Sequence, residues 1–168
     1  MTGFLKYGMQ GLLLVALQVL ILNNIELAGY MNPYLYIAFL LLLPANIDRS
    51  LLLIIAFVLG FSIDIFENSG GVHASASLVV ALIRPILFRF LAGPASIDME
   101  RMNNQTLGMS RFMTLAAIAV FTHHFWLFML ESFSFNYIFF VLKRTILSGI
   151  FTLTLVYIMQ ILVYRKAQ

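Results

Sequence analysis

Long apolar stretches recur along this chain, over residues 4–22, 51–66, 72–91, 112–130 and 137–163, and hardly a charge interrupts them. A helix needs about 20 such residues to cross a hydrocarbon layer about 30 Å thick. Seven acidic and ten basic side chains among 168 residues are too few to cover a water-soluble fold of this size, since a globular domain normally carries about 25% charged residues. With 62% of the residues hydrophobic, lipid has to be the outer solvent. The expected fold class is all-α: a single integral-membrane domain over residues 1–168, built as a polytopic bundle of about six spans. No room is left for a separate domain outside the membrane.

The first stretch carries only Lys6 and is followed by Asn23-Asn24-Ile25-Glu26 instead of a small-x-small cleavage pattern, so it reads as a retained span. The remaining span, over residues 33–47, is unusual. Asn32-Pro33 is a good helix start, but Pro44 interrupts the segment after only half a bilayer. Two outcomes are open: continuation past Pro44 with a kink, or a short helix shielded inside the bundle. The linker 93–111, with Pro94, Asp98, Glu100, Arg101, Asn103, Asn104 and Gln105, is the one substantial polar loop.

The charges fall in an order that suggests a topology. In a six-span chain with both termini cytoplasmic, Lys6, Arg49, Arg84, Arg89, Arg101, Arg111, Arg165 and Lys166 lie at or toward the inner side. Loops 23–33, 66–73 and 131–136 carry no Lys or Arg, only Glu26, Glu67 and Glu131, which is the positive-inside pattern. Lys143 and Arg144 break it, so either the last helix begins near Thr145 or Arg144 points into the bundle. The net charge of +3 includes no run of basic residues, so nucleic acid is not expected as a partner. The lack of cysteine closes disulfide, thiolate and cysteine–metal chemistry.

In lipid the informative residues are ionisable groups inside apolar segments, because a charge at the bilayer centre costs about 2.5–3.5 kcal/mol on insertion scales. Asp64 is the clearest, with Gly60 one turn below it on the same helix face, where a missing side chain lets another helix approach. Asp64 reads equally as a polar docking site or ion relay and as a carboxylate bonded to the turn at Ser69-Gly70-Gly71. Arg84 precedes Pro85, which frees a backbone carbonyl that a guanidinium can satisfy. Arg84 also has the reach to pair with Asp64 by snorkelling, or to extend with Arg89 to the headgroups.

His123 and His124 are adjacent, so their side chains diverge by about 100° and do not chelate one metal as i, i+4 ligands do. With His73 the only other histidine and no nucleophile motif, neither a metal, a cofactor nor a catalytic residue is expected. Gly71, Ala74, Ser75, Ala76 and Ser77 read as a surface for close helix packing. Tyr30, Tyr34, Tyr36, Trp126, Tyr137 and Tyr164 read as an interfacial belt, and Phe133, Phe135, Phe139 and Phe140 as a lipid or partner contact.

Asn32-Pro33 before a short span, Pro44 closing it, the run Gly60-Phe61-Ser62-Ile63-Asp64-Ile65, the turn Gly70-Gly71-Val72-His73-Ala74 and Arg84, in that order over about residues 10–90, resemble the rod-shape-determining protein MreD family. The resemblance implies a non-enzymatic scaffold of the bacterial inner membrane that binds MreC and associates with MreB, RodA and a class B penicillin-binding transpeptidase. It implies a fold similar to the substrate-binding subunits of energy-coupling-factor vitamin transporters. Carried over, Gly60 to Asp64, Gly71, Ala74 and Pro44 shape the bundle, and Asp64 is the best candidate for a functional polar contact. The competing expectation is a transport subunit whose pocket is lined by Asp64, Asn68, His73 and Arg84. An intramembrane hydrolase ranks last, for want of an activated nucleophile.

Overall fold

The computed structural model describes residues 2–25, 31–92 and 107–165, with side chains over 5–25, 31–92 and 107–162. Every regular element among them is helical. Glu26, Tyr30, the loop residues 93–106, Lys166 and the side chains of Tyr164 and Arg165 lie outside this description, and with them the polar linker and part of the charge pattern.

Among the described residues, five helices are long and apolar enough to cross a membrane. They are α1 (Thr2–Leu20, continued by a 3-10 turn at Leu22–Asn24), α3 (Arg49–Glu67), α4 (Val72–Ala92), α5 (Met109–Ser132) and α6 (Ile138–Arg165). The segment between α1 and α3 is different: a 3-10 turn at Leu35–Ile37 leads into α2 (Ala38–Leu42), and Leu43 then turns extended, with φ −61° and ψ 153°. That conformation is the one a residue before proline favours, and it ends the helix at Pro44. Residues 33–41 are all buried. Of the two outcomes left open by the sequence, the short shielded helix is the one that forms.

Side-chain contacts fix the direction of each span. Asp64 in the last turn of α3 bonds the first residues of α4. Trp126 near the end of α5 donates to Ser75 near the start of α4 at 2.8 Å. Arg144 in α6 pairs with Glu131 at the end of α5, and His124 meets Thr152 one level deeper. Gln18 near the end of α1 contacts Tyr36, whose hydroxyl reaches His73 at the start of α4. The ends of α1, α3 and α5 therefore lie with the starts of α4 and α6, at what we call the junction end. Because α3 begins at the opposite end, the chain has to return between α1 and α3, and the short buried segment makes part of that return. Among the described residues the bundle therefore has five membrane-length helices and one half-helix, α2.

Exposed Lys6, Arg49, Arg89 and Arg111 all sit toward the end opposite the junction. At the junction end α6 starts at Ile138, seven residues before Thr145. Arg144 is half-buried there, paired with Glu131 and stacked 4.0 Å over the Phe128 ring. The later helix start is thus excluded, and Arg144 turns toward the bundle.

Candidate functional site

The junction of α3 and α4 is built by the turn between them. Asn68 takes the left-handed conformation (φ 54°) that ends α3, and its N–H bonds the carbonyl of Asp64, as asparagine commonly does at a helix C-terminus. Gly70 and Gly71 follow with φ of 67° and 95°. Gly71 directly precedes α4 and has no side chain to cap it. The capping comes from α3: Asp64 Oδ1 accepts from His73 N at 2.9 Å and from the Ser69 hydroxyl at 2.5 Å, and Oδ2 accepts from Ala74 N at 2.8 Å. A carboxylate against the first N–H groups of a helix satisfies donors that have no intrahelical partner, and its charge complements the helix dipole.

This capping requires α3 and α4 to touch. A Cβ built on Gly60 would sit 2.5 Å from the His73 carbonyl and 2.6 Å from Ala74 Cα. Gly60 opposite Ala74 is therefore the close approach expected of small residues. Gly71 is not part of it: a Cβ there meets nothing within 4 Å, and glycine is needed for its positive φ. Ser77 is fully buried and lies beside Tyr36.

Arg84 does not pair with Asp64, and it does not reach the headgroups. Its side chain is fully buried, and Nη2 donates to the carbonyls of Leu43 and, at 3.1 Å, Pro44. The guanidinium also lies 4.6 Å from the centre of the Phe88 ring. The carbonyls it satisfies are those freed where α2 stops at Pro44, and α4 itself runs unbroken through Pro85. Asn68 is exposed and Arg84 is bound to the short segment, so Asp64, Asn68, His73 and Arg84 do not surround one space.

The same short segment is held along its length by polar side chains. The buried Gln18 donates to the Pro33 carbonyl at 2.9 Å and accepts from Tyr36 N at 3.3 Å. Asn32 N donates to the Ser148 hydroxyl, and Tyr34 N to the Thr152 hydroxyl at 3.0 Å. Irregular backbone at membrane depth is tolerated only where protein or a water-filled cavity meets its polar groups, and here α1, α4 and α6 do so.

Tyr34 and Tyr36 are accordingly not interfacial; they are 2% and 0% exposed, because the segment carrying them is inside the bundle. They bring the three histidines together. The Tyr36 hydroxyl lies 3.1 Å from His73 Nδ1 and 2.7 Å from His123 Nε2, and His73 Nε2 lies 2.8 Å from Glu67 Oε2. The Tyr34 ring packs against His73, His123 and His124 at centroid distances of 4.9, 6.1 and 5.5 Å. His124 is engaged elsewhere, with Nδ1 on the Val120 carbonyl and Nε2 on Thr152. Sequence reading missed Gln18, Tyr36, His123 and Thr152 as partners in one network. The available signal was a set of polar residues on otherwise apolar helices facing a segment too short to satisfy itself.

Among the described residues no set of three histidine or acidic side chains is arranged to hold a metal ion. No family model, curated protein or solved structure matches the chain.

Proposed function

We propose that this chain is a non-enzymatic scaffold of the bacterial inner membrane, acting in the cell-elongation machinery by binding MreC and helping to regulate cell shape and lateral peptidoglycan synthesis. MreB, RodA and a class B penicillin-binding transpeptidase are the further associates, reached by resemblance to the MreD family. The observation that carries the reading is that two charged groups within the helices, Asp64 and Arg84, bind the protein's own backbone. Both oxygens of Asp64 hold the start of α4 and the Arg84 guanidinium holds the end of α2. Large apolar side chains face outward along the helices, including Phe133, Phe135 and Phe139, each more than 80% exposed at the junction end. In lipid such surfaces associate with a partner's membrane anchor by close packing and a few polar contacts. In this reading the basic end faces the cytoplasm, following the positive-inside rule.

The test is recovery of MreC with the tagged protein after detergent extraction from cells producing both. Co-purification at a fixed ratio supports the scaffold; its absence, with both proteins intact, removes it. One feature favours a second reading, a membrane subunit that holds a vitamin-like solute: transporter sites are commonly formed by interrupted helices near the bilayer midplane, and α2 is such a helix. A solute that binds only the folded bundle raises its melting temperature by mass action, so a vitamin screen by thermal shift separates the two.

A further inference from the structure

Lys143 and Arg144 stand at the end of the bundle where loops 23–33, 66–73 and 131–136 carry no basic residue, and neither reading above uses them. Helix α6 is 28 residues long. At the usual rise that is about 42 Å, as much as the hydrocarbon core and both headgroup layers together. Arg144 lies six residues into α6, about 9 Å from its start, and Glu131 is the last residue but one of α5. The pair they form therefore sits where headgroups meet acyl chains.

Glu131 and Arg144 line one cavity of about 320 Å³ between the end of α5 and the start of α6, together with Phe128, Ser132, Tyr137 and Phe140. Small-molecule sites begin at about 300 Å³. Tyr137 and Phe140 are 62% and 52% exposed, so the cavity opens on the outside of the bundle, and Phe133, Phe135 and Phe139 stand exposed on the same turn and helix start. Side chains of that kind need acyl chains as neighbours, so what reaches the opening is lipid.

The charges inside are ordered. Arg144 Nη1 donates to Glu131 Oε2, and the guanidinium is stacked over the Phe128 ring, which fixes its plane. The described lining thus holds one charge of each sign. Lys143 is exposed on the neighbouring helix face, about 100° away, and is not among the lining residues. Two opposite poles side by side complement a ligand whose own charges run in the reverse order. The planar guanidinium fork matches a phosphate, and an ionised carboxylate accepts the N–H bonds of a primary ammonium.

We propose that this cavity holds the headgroup of a zwitterionic phospholipid with a primary ammonium next to its phosphate, as in phosphatidylethanolamine, the phosphate on Arg144 and the ammonium on Glu131. The headgroup extends the protein's ion pair into an alternating set of four charges with no net charge added, and the acyl chains leave over the exposed Phe140 into the surrounding lipid. The site needs only the bundle in a bilayer, so it stands apart from the scaffold and transport readings.

Titration of the full chain in detergent micelles with short-chain lipids, followed by native mass spectrometry, tests the site. Dihexanoyl phosphatidylethanolamine should bind about fivefold more tightly than dihexanoyl phosphatidylglycerol, which has the phosphate and lacks the ammonium. Equal binding of the two overturns the proposal. Free phosphoethanolamine has both headgroup charges without acyl chains and should bind at least about tenfold more weakly than the lipid; equal binding would overturn the assignment to lipid. Glu131→Gln keeps the side-chain shape and should bring the preference below about twofold by weakening phosphatidylethanolamine alone, whereas Arg144→Gln should weaken both lipids. An unchanged preference in Glu131→Gln is equally fatal. If either variant does not fold, the comparison of the two phospholipids on the wild type decides.

Discussion

Asp64 is buried, 4% exposed, yet both of its oxygens are satisfied by three donors, five, nine and ten residues further on. Removing a charged acceptor that meets backbone N–H groups costs about 1.5–3 kcal/mol per strong bond at most, and less when the turn relaxes. Asp64→Ala is therefore expected to destabilise the bundle by about 2 kcal/mol, read as a lower melting temperature in detergent, while membrane insertion persists. A melting temperature equal to the wild type would mean that the cap contributes nothing. Gly60→Ala should be at least as damaging, since its Cβ meets backbone of α4 that cannot rotate away. Gly11→Ala is the comparison, because its Cβ meets only the Phe39 ring at 3.0 Å and a ring can shift. Both effects are checked in one denaturation series. The close approach at Gly60 was legible in the sequence, because a glycine one turn from an acid in an apolar run lets another helix come near. Of the two readings of Asp64, the carboxylate bonded to the turn holds for Ser69, whose hydroxyl it accepts; its further partner was not legible. It is a pair of backbone N–H groups, whose position depends on the left-handed Asn68 and the two positive-φ glycines that follow it.

At the scale of elements, the half-helix α2 decides the architecture. Its shortness and Pro44 could be read from the sequence, but what surrounds it could not: Gln18, Arg84, Ser148 and Thr152 are separated from it by up to 118 positions. The pairing of Arg84 with Asp64 failed for a related reason. Arg84 is too far down α4, and nearer carbonyls were already open where the short helix ends. The same distance in sequence hid the His73–Tyr36–His123 line, since adjacent histidines on one helix give no hint of which ring meets a tyrosine from elsewhere. Arg84→Met keeps much of the side-chain volume and removes both donors to Leu43 and Pro44. It should cost about 2–4 kcal/mol, as expected when buried carbonyls lose a charged partner. Cysteine introduced at Leu43 should then become reactive to a maleimide in the variant and remain protected in the otherwise wild-type protein. Protection in both would show that the segment holds its place without the guanidinium.

For the whole molecule, the distribution of apolar surface makes a multi-pass membrane protein the outcome of composition alone, and this was the most legible conclusion of all. Alkaline carbonate washing of membranes should leave the protein in the pellet, and release into the supernatant would contradict the five apolar helices. The fold also has a consequence for how the protein is made. The segment at 32–34 leaves the ribosome more than a hundred residues ahead of Ser148 and Thr152, which later accept its backbone N–H groups. During translation it must therefore wait in the translocon, in the interface or against a chaperone until the final helix arrives, so the last span to be synthesised closes a gap opened near the beginning.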